Sequence, residues 1–285
     1  MRIVGERYPT RVLEMGSGDT LLLLHGQGGS LENFRHNIPA YSASYRVVAV
    51  DLLWHGLSAT PPVDPALIPI WVAQVIEVIE SLNLGPCHVE GQSLGGWIAT
   101  TLSLQRPDLV RSLTLTTPMG LNPTTAPVDP VIFERVLKQQ LATLHDLSVD
   151  GIRQRIASLF KNPDVIDDEI VQIRQALYSR RETNAALREV ATAYFGRPSI
   201  EPYRIGPQEL ATITAPTLLY WGSANIGGPD AGEALAAAIP DAEYHCADVG
   251  HWAQYEEYDE HNRVVLDFLQ RHSRLDTSSG AGSVR

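Results

Sequence analysis

The chain has 285 residues, with 22 Lys and Arg against 33 Asp and Glu and a formal net charge of −11. That balance disfavours nucleic acid and anionic membrane surfaces as partners, although an average leaves room for a locally basic pocket that takes a small anion. No apolar run approaches the ~18 residues of a membrane span, and the N-terminal MRIVGERYPT has no signal-like apolar core, so a cytoplasmic protein is expected, built as one large domain or as one domain with an inserted lobe.

In chain order, short apolar runs alternate with helical patterns. TLLLLHG at 20–26 reads as a buried strand ending in glycine, and YRVVAVD at 45–51 as a β-branched strand ending in an acid. A helix is expected over about 65–82, a strand at 86–93, a helix directly after it, and a third β-rich run at 110–118. This rhythm predicts a mostly parallel sheet with helices on both faces. It breaks from about 119 to 207, where four helical patterns follow one another without a buried strand. Strands return in APTLLYWG and AEYHCAD, and a last helix is expected from about Tyr255 to His272. The expected units are a core of 1–119 and 206–272, an inserted helical lobe of 120–205, and a disordered Gly/Ser-rich tail at 273–285. Cys87 and Cys246 each stand in an apolar run and are expected to be buried free thiols, not a disulfide or a metal pair.

Three segments carry chemistry. Gly91-Gln92-Ser93-Leu94-Gly95 joins a strand to a helix, the setting in which G-x-S-x-G lifts a serine nucleophile on a tight turn at a helix N-terminus. Alone, the same pattern also fits a glycine-rich turn with an incidental serine. His25-Gly26-Gln27-Gly28-Gly29 follows the first buried strand, and the backbone N–H groups of Gln27 and Leu94 would form an oxyanion hole above Ser93. A flexible turn weighs equally for that segment by itself. Gly250-His251-Trp252 lies between the last strand and the last helix, and His251 alone of nine histidines has both the chain order and the loop context of a general base for Ser93.

Together these residues resemble the α/β-hydrolase superfamily over most of the chain, which implies an α/β-hydrolase fold with the inserted lobe as a helical cap. GHWAQYEEYDEHNRVVLDFL is more specific and is similar to the meta-cleavage-product hydrolases. That resemblance implies cleavage of a carbon–carbon bond in a 2-hydroxy-6-oxo-dienoate, a ring-fission product of aromatic degradation. It further implies a small carboxylate substrate, no metal or organic cofactor, and by analogy a homodimer. It places substrate contacts on Asn33, Gln92 (usually Asn), Trp252 and Arg174, the last to hold the carboxylate. Arginine's planar fork suits that task, although an arginine on such a helix also reads as a solvated surface residue.

Two positions depart from the family pattern: the first loop is HGQGG rather than a richer HGGGPG, and WGSANIGGP places Asn225 where the triad acid belongs. Asparagine can accept the Nδ1–H bond of His251 and fix its tautomer, but it supplies no charge. Three readings stand. Asp230 or Asp248 replaces the acid; Asn225 suffices because an anionic dienolate substrate assists; or the chain performs another reaction or only binds a ligand. Beside carbon–carbon hydrolysis, carboxylic ester or lactone hydrolysis needs the same serine without Arg174.

Overall fold

The structure is a computed structural model describing residues 1–124, 130–196 and 200–273. Its strands are β1 (Arg2–Val4), β2 (Thr10–Met15), β3 (Thr20–Leu24), β4 (Arg46–Val50), β5 (Cys87–Gln92), β6 (Val110–Thr116), β7 (Thr217–Gly222) and β8 (Ala242–Ala247). They form one sheet in the order β1-β2-β4-β3-β5-β6-β7-β8. From β4 to β8 all neighbours are parallel, whereas β1, β2 and β4 pair antiparallel. The helices are α1 (Asn37–Tyr41), α2 (Leu67–Ser81), α3 (Leu94–Gln105), α4 (Pro130–His145), α5 (Val149–Ala157), α6 (Asp168–Tyr178), α7 (Arg181–Phe195), α8 (Pro207–Leu210), α9 (Gly228–Ala237), α10 (Ala253–Glu256) and α11 (Tyr258–His272).

A strand's side chains alternate between faces, so a central strand covered on both sides must be apolar throughout. In β3, Leu22 and Leu24 join a core with Trp71 and Val75 of α2 and Ile98 and Leu102 of α3. Leu21 and Leu23 point the other way, onto Tyr41 of α1 and Val265, Phe268 and Leu269 of α11. All four leucines are fully buried, each contributing about 1.5–3 kcal/mol of apolar burial.

Helices α4–α7 lie between β6 and β7. The chain leaves and re-enters the sheet layer at one place, where Ile205 N–H donates to Gly120 O (3.0 Å) and Asn122 N–H donates to Ile205 O (2.9 Å). Side chains start two of these helices: Ser148 accepts from Gly151 N–H, and Asp167 from Ile170 N–H. Helix α6 buries Ile170, Val171, Arg174, Leu177 and Tyr178, the i, i+1, i+4, i+7, i+8 stripe of a helix with one inward face.

Three expectations need correction. The sequence reading contained neither β1 nor β2; their residues form an antiparallel edge outside the βα rhythm. The single C-terminal helix is two, because Glu257 departs from helical geometry (φ −129°, ψ 60°) and separates α10 from α11. Both cysteines are free, but only Cys87 is buried; Cys246 is exposed because it lies on β8, the sheet's edge strand. The expected tail after Ser273 lies outside the described residues.

Candidate active site

The elbow at Ser93 is built from glycine contacts that sequence alone only suggests. Ser93 has φ 55° and ψ −113°, a conformation costing about 1–3 kcal/mol for a residue with a side chain. A Cβ on Gly91 would fall 2.3 Å from the Gly95 backbone, and one on Gly95 would fall 2.0 Å from Leu24 O. The turn is tied to the next strand by Ser93 N–H donating to Thr116 O (3.0 Å). The serine hydroxyl does not cap α3; it lines a cavity of about 400 Å³ beyond the carboxyl ends of the strands, the usual ligand side of a parallel sheet.

Two buried histidines brace the glycine loop after β3. His55 Nε2 accepts from Gly28 N–H (3.0 Å), and His25 Nε2 accepts from Leu52 N–H (3.0 Å). Burial pushes His55 down to about 4 and lowers His25 well below its usual value, so both stay neutral and able to accept. Gly29 N–H turns back to Gly26 O (3.0 Å). Leu94 opens α3, so its N–H has no helical acceptor one turn back. Gln27 lines the cavity, and both polar atoms of its side chain are buried without a partner.

His251 is held from three directions. Its N–H donates to Leu159 O (2.6 Å), while its carbonyl accepts from Thr117 Oγ1 (2.7 Å) and Gln92 Nε2 (3.1 Å). Glu256 steadies the loop by accepting from the N–H groups of Gly250 (2.7 Å) and Asn162 (2.6 Å). His251 Nδ1 lies 2.9 Å from Asn225 Oδ1. An amide oxygen only accepts, so this contact selects the tautomer with its proton on Nδ1 and a lone pair on Nε2. Burial, and secondly the Arg155 cation, push His251 down to about 4.

The two alternative acids stand elsewhere. Asp248 pairs with Lys161 and accepts from Ser223 Oγ (2.7 Å), with its side chain 75% exposed. Asp230 is exposed in the first turn of α9, where its charge favours the helix N-terminus. Gly222, the glycine of WGSAN, packs against the histidine loop; a Cβ there would meet Gly250 O at 2.1 Å.

Gln92 and Trp252 line the cavity. Asn33 and Arg174 are buried side by side, with Arg174 Nη2 donating to Asn33 Oδ1 (2.9 Å), but neither lines it. The Arg174 guanidinium lies over the rings of Trp252 (5.1 Å) and Tyr178 (5.6 Å). The charged side chains on the cavity wall are Arg155 and Arg135, which the sequence reading did not single out. A second chamber of about 350 Å³ adjoins through Met119, Ile132, Phe133 and Asn225, with Trp97, Ile200, Trp221 and Leu235 adding an apolar lining.

Known proteins agree with this architecture. The sequence model of the family described as alpha/beta hydrolase fold matches residues 19–258. A 2-hydroxy-6-oxononadienedioate/2-hydroxy-6-oxononatrienedioate hydrolase of Comamonas testosteroni is 30% identical over 90% of this chain and 89% of its own length. A 2-hydroxy-6-oxo-6-phenylhexa-2,4-dienoate hydrolase of Burkholderia cepacia is 29% identical over the same shares. The solved structure of the latter activity's enzyme from Rhodococcus sp. strain RHA1 superposes with a TM-score of 0.81 at 23% identity, covering 94% of this chain and 97% of that one. Fold, elbow and family match coincide over the same residues, and the chain belongs to the alpha/beta hydrolase family.

Proposed function

We propose that the chain is a serine-dependent hydrolase that cleaves the carbon–carbon bond of a 2-hydroxy-6-oxo-dienoate. One observation carries the reading: Ser93 and His251 share a cavity whose lining, among the described residues, holds arginine but no Asp or Glu, next to a mainly apolar chamber with Glu201 and Arg204 on its wall. That division suits a molecule with an acidic head and an apolar acyl end. The names of the relatives from Comamonas testosteroni and Burkholderia cepacia point to the same substrate class.

Helices α4–α7 act as a cap that closes the cavity, a reading supported by the adjacent entry and exit at Gly120 and Ile205. His251 moves the proton that converts the bound dienol to its keto tautomer. Ser93 then attacks the distal ketone and gives its proton to Nε2, while the N–H groups of Gln27 and Leu94 stabilise the oxyanion. The bond between the acyl carbon and the dienol fragment breaks, the fragment takes the electron pair and a proton, and water releases the acyl group from Ser93. Asn225 serves as the orienting third member, which the 2.9 Å contact supports. A dienolate substrate brings the negative charge that Asn225 lacks.

The test is spectrophotometric. Loss of the yellow colour of a ring-fission dienoate, abolished in Ser93→Ala, is expected. Turnover of a p-nitrophenyl ester alone would assign the site to ester hydrolysis, and binding without any turnover would remove it from hydrolysis altogether.

A further inference from the structure

Arg155 lies in the last turn of α5, and its side chain forms part of the cavity wall. Its partners are neutral: Nε donates to Gln140 Oε1 (3.2 Å) and Nη1 to Ser158 Oγ (3.0 Å). No acid of the described residues forms an ion pair with Arg155 or with Arg174. By contrast, Arg11 has Asp51 and Glu32, and Arg35 has Asp167 and Glu169.

Arg155 is half-buried, and a guanidinium drawn even partly out of water is costly unless it is paired. Burial and the neighbouring Arg174 cation lower the pKa of Arg155, against an opposing effect of Tyr178. The geometry also anchors the group that holds this cation. Gln140 Nε2 donates to Tyr178 Oη (3.2 Å), which donates to Gly28 O (2.7 Å). Arg155 is therefore tied through α4 and α6 to the glycine loop above Ser93. The protein is acidic overall, yet among the described residues this cavity is lined by arginine and no carboxylate.

We propose that Arg155 is a specificity-determining anion anchor, binding the carboxylate of the ligand at the cavity wall beside His251, with Arg174 as a second cation behind that wall. The ligand class is an organic monocarboxylate with an apolar tail. Gln140 and Ser158 engage Nε and Nη1, so Nη2 takes part in neither contact and is the donor of the fork assigned to the ligand. A carboxylate bound there also neutralises the cation that helps depress His251.

The proposal rests on reading this cavity as the substrate site, and calorimetry tests it without requiring cleavage. The probes are hexa-2,4-dienoate and its uncharged amide, titrated into wild type, Arg155→Met and Arg174→Met. Wild type is expected to prefer the carboxylate by about 10- to 100-fold, the worth of a hydrogen bond to a charged group. Arg155→Met should abolish most of that preference with amide affinity retained, and its Tm without ligand should be equal or higher, because an unpaired cation is removed. Arg155→Lys, with charge but no fork, should keep part of the preference. Amide binding reports an intact cavity in each variant. An unchanged preference in Arg155→Met, or no preference in wild type, overturns the anchor. Arg155-dependent carboxylate binding without dienoate cleavage would overturn only the carbon–carbon reading. Cleavage with Arg155-independent binding would overturn only the anchor.

Discussion

Replacing Asn225 by aspartate restores a charge at a position whose geometry is already in place. The amide oxygen is 2.9 Å from His251 Nδ1, and residue 225 is only 9% exposed. A carboxylate there would put its charge about 4 Å from that of the imidazolium, worth roughly 4 kcal/mol at an effective dielectric of ~20. At 1.36 kcal/mol per unit, His251 should rise by about 3 units, from about 4 to near ~7. If all of that energy appeared in the transition state, the rate would rise about a thousandfold. Burying the new carboxylate takes part of it back, so a gain of about 10- to 1,000-fold in kcat for a p-nitrophenyl ester is expected. The pH profile is the sharper readout. A general base works when deprotonated, so wild-type kcat/KM should climb through pH about 4 and then plateau, whereas Asn225→Asp should climb through pH ~7. A variant with the wild-type rate and inflection would refute the claim that residue 225 tunes His251. Loss of activity in Asp248→Asn or Asp230→Asn would instead move the acid to one of those positions.

Glu90 tests the core beneath the nucleophile. Burial raises it to about 8, its carboxyl lies 3.6 Å from His261 Nε2, and burial lowers His261 to about 3. A raised acid pKa means the folded state holds the proton longer, so this group's stabilisation falls as pH rises from 4.5 to about 8. His261 works oppositely between about 3 and 6.5, so stability rises from pH about 3 to 4.5 and the two nearly cancel between 4.5 and 6.5. Between pH 6.5 and 8 stability should drop by about 2 kcal/mol, and Glu90→Gln should flatten that fall, measured by urea unfolding across pH. Gly95→Ala drives a Cβ to 2.0 Å from Leu24 O in the central strand; a loss above about 3 kcal/mol is expected, and a Tm within 2 °C of wild type would contradict the contact. Tyr178→Phe strands Gly28 O and the Gln140 amide, costing about 1–3 kcal/mol by unfolding, with lower kcat through the glycine loop.

The central sheet and the elbow were legible because their causes are local. A run such as Leu21–Leu24 has no polar face to offer water, and glycines two residues either side of a serine, between a strand and a helix, mark a tight turn. What escaped the sequence depends on distant parts of the chain. Strand β1 is mostly exposed and pairs only with β2, so it lacks the apolar signature. Cys246 has apolar neighbours in sequence but sits on a strand with one partner. Arg155 in VDGIRQRIA reads like any arginine on an amphipathic helix; its place on the wall arises from Gln140 on α4 and Tyr178 on α6. Arg174 shows the converse. The resemblance named it, and the fold buries it against Asn33 and against Trp252, which itself lines the cavity.

Asn225 and Arg155 are best understood together. An aspartate at 225 would strengthen His251 as a base, but it would also place a negative charge in a cavity whose described lining holds no carboxylate, within electrostatic reach of Arg155, the cavity-wall cation that acts on His251. That charge would repel a bound carboxylate and compete for Arg155. With asparagine, the histidine keeps its orientation and its tautomer, and the arginine stays unpaired until a ligand arrives. The cost is a histidine held near 4, a weak base in the empty site. Once a carboxylate sits on Arg155, one of the two causes of that depression is neutralised, so the base strengthens when an anionic ligand is bound and remains weak for neutral esters. On the proposed reading the asparagine is part of substrate discrimination: the charge an aspartate would bring to His251 comes instead from the molecule being bound.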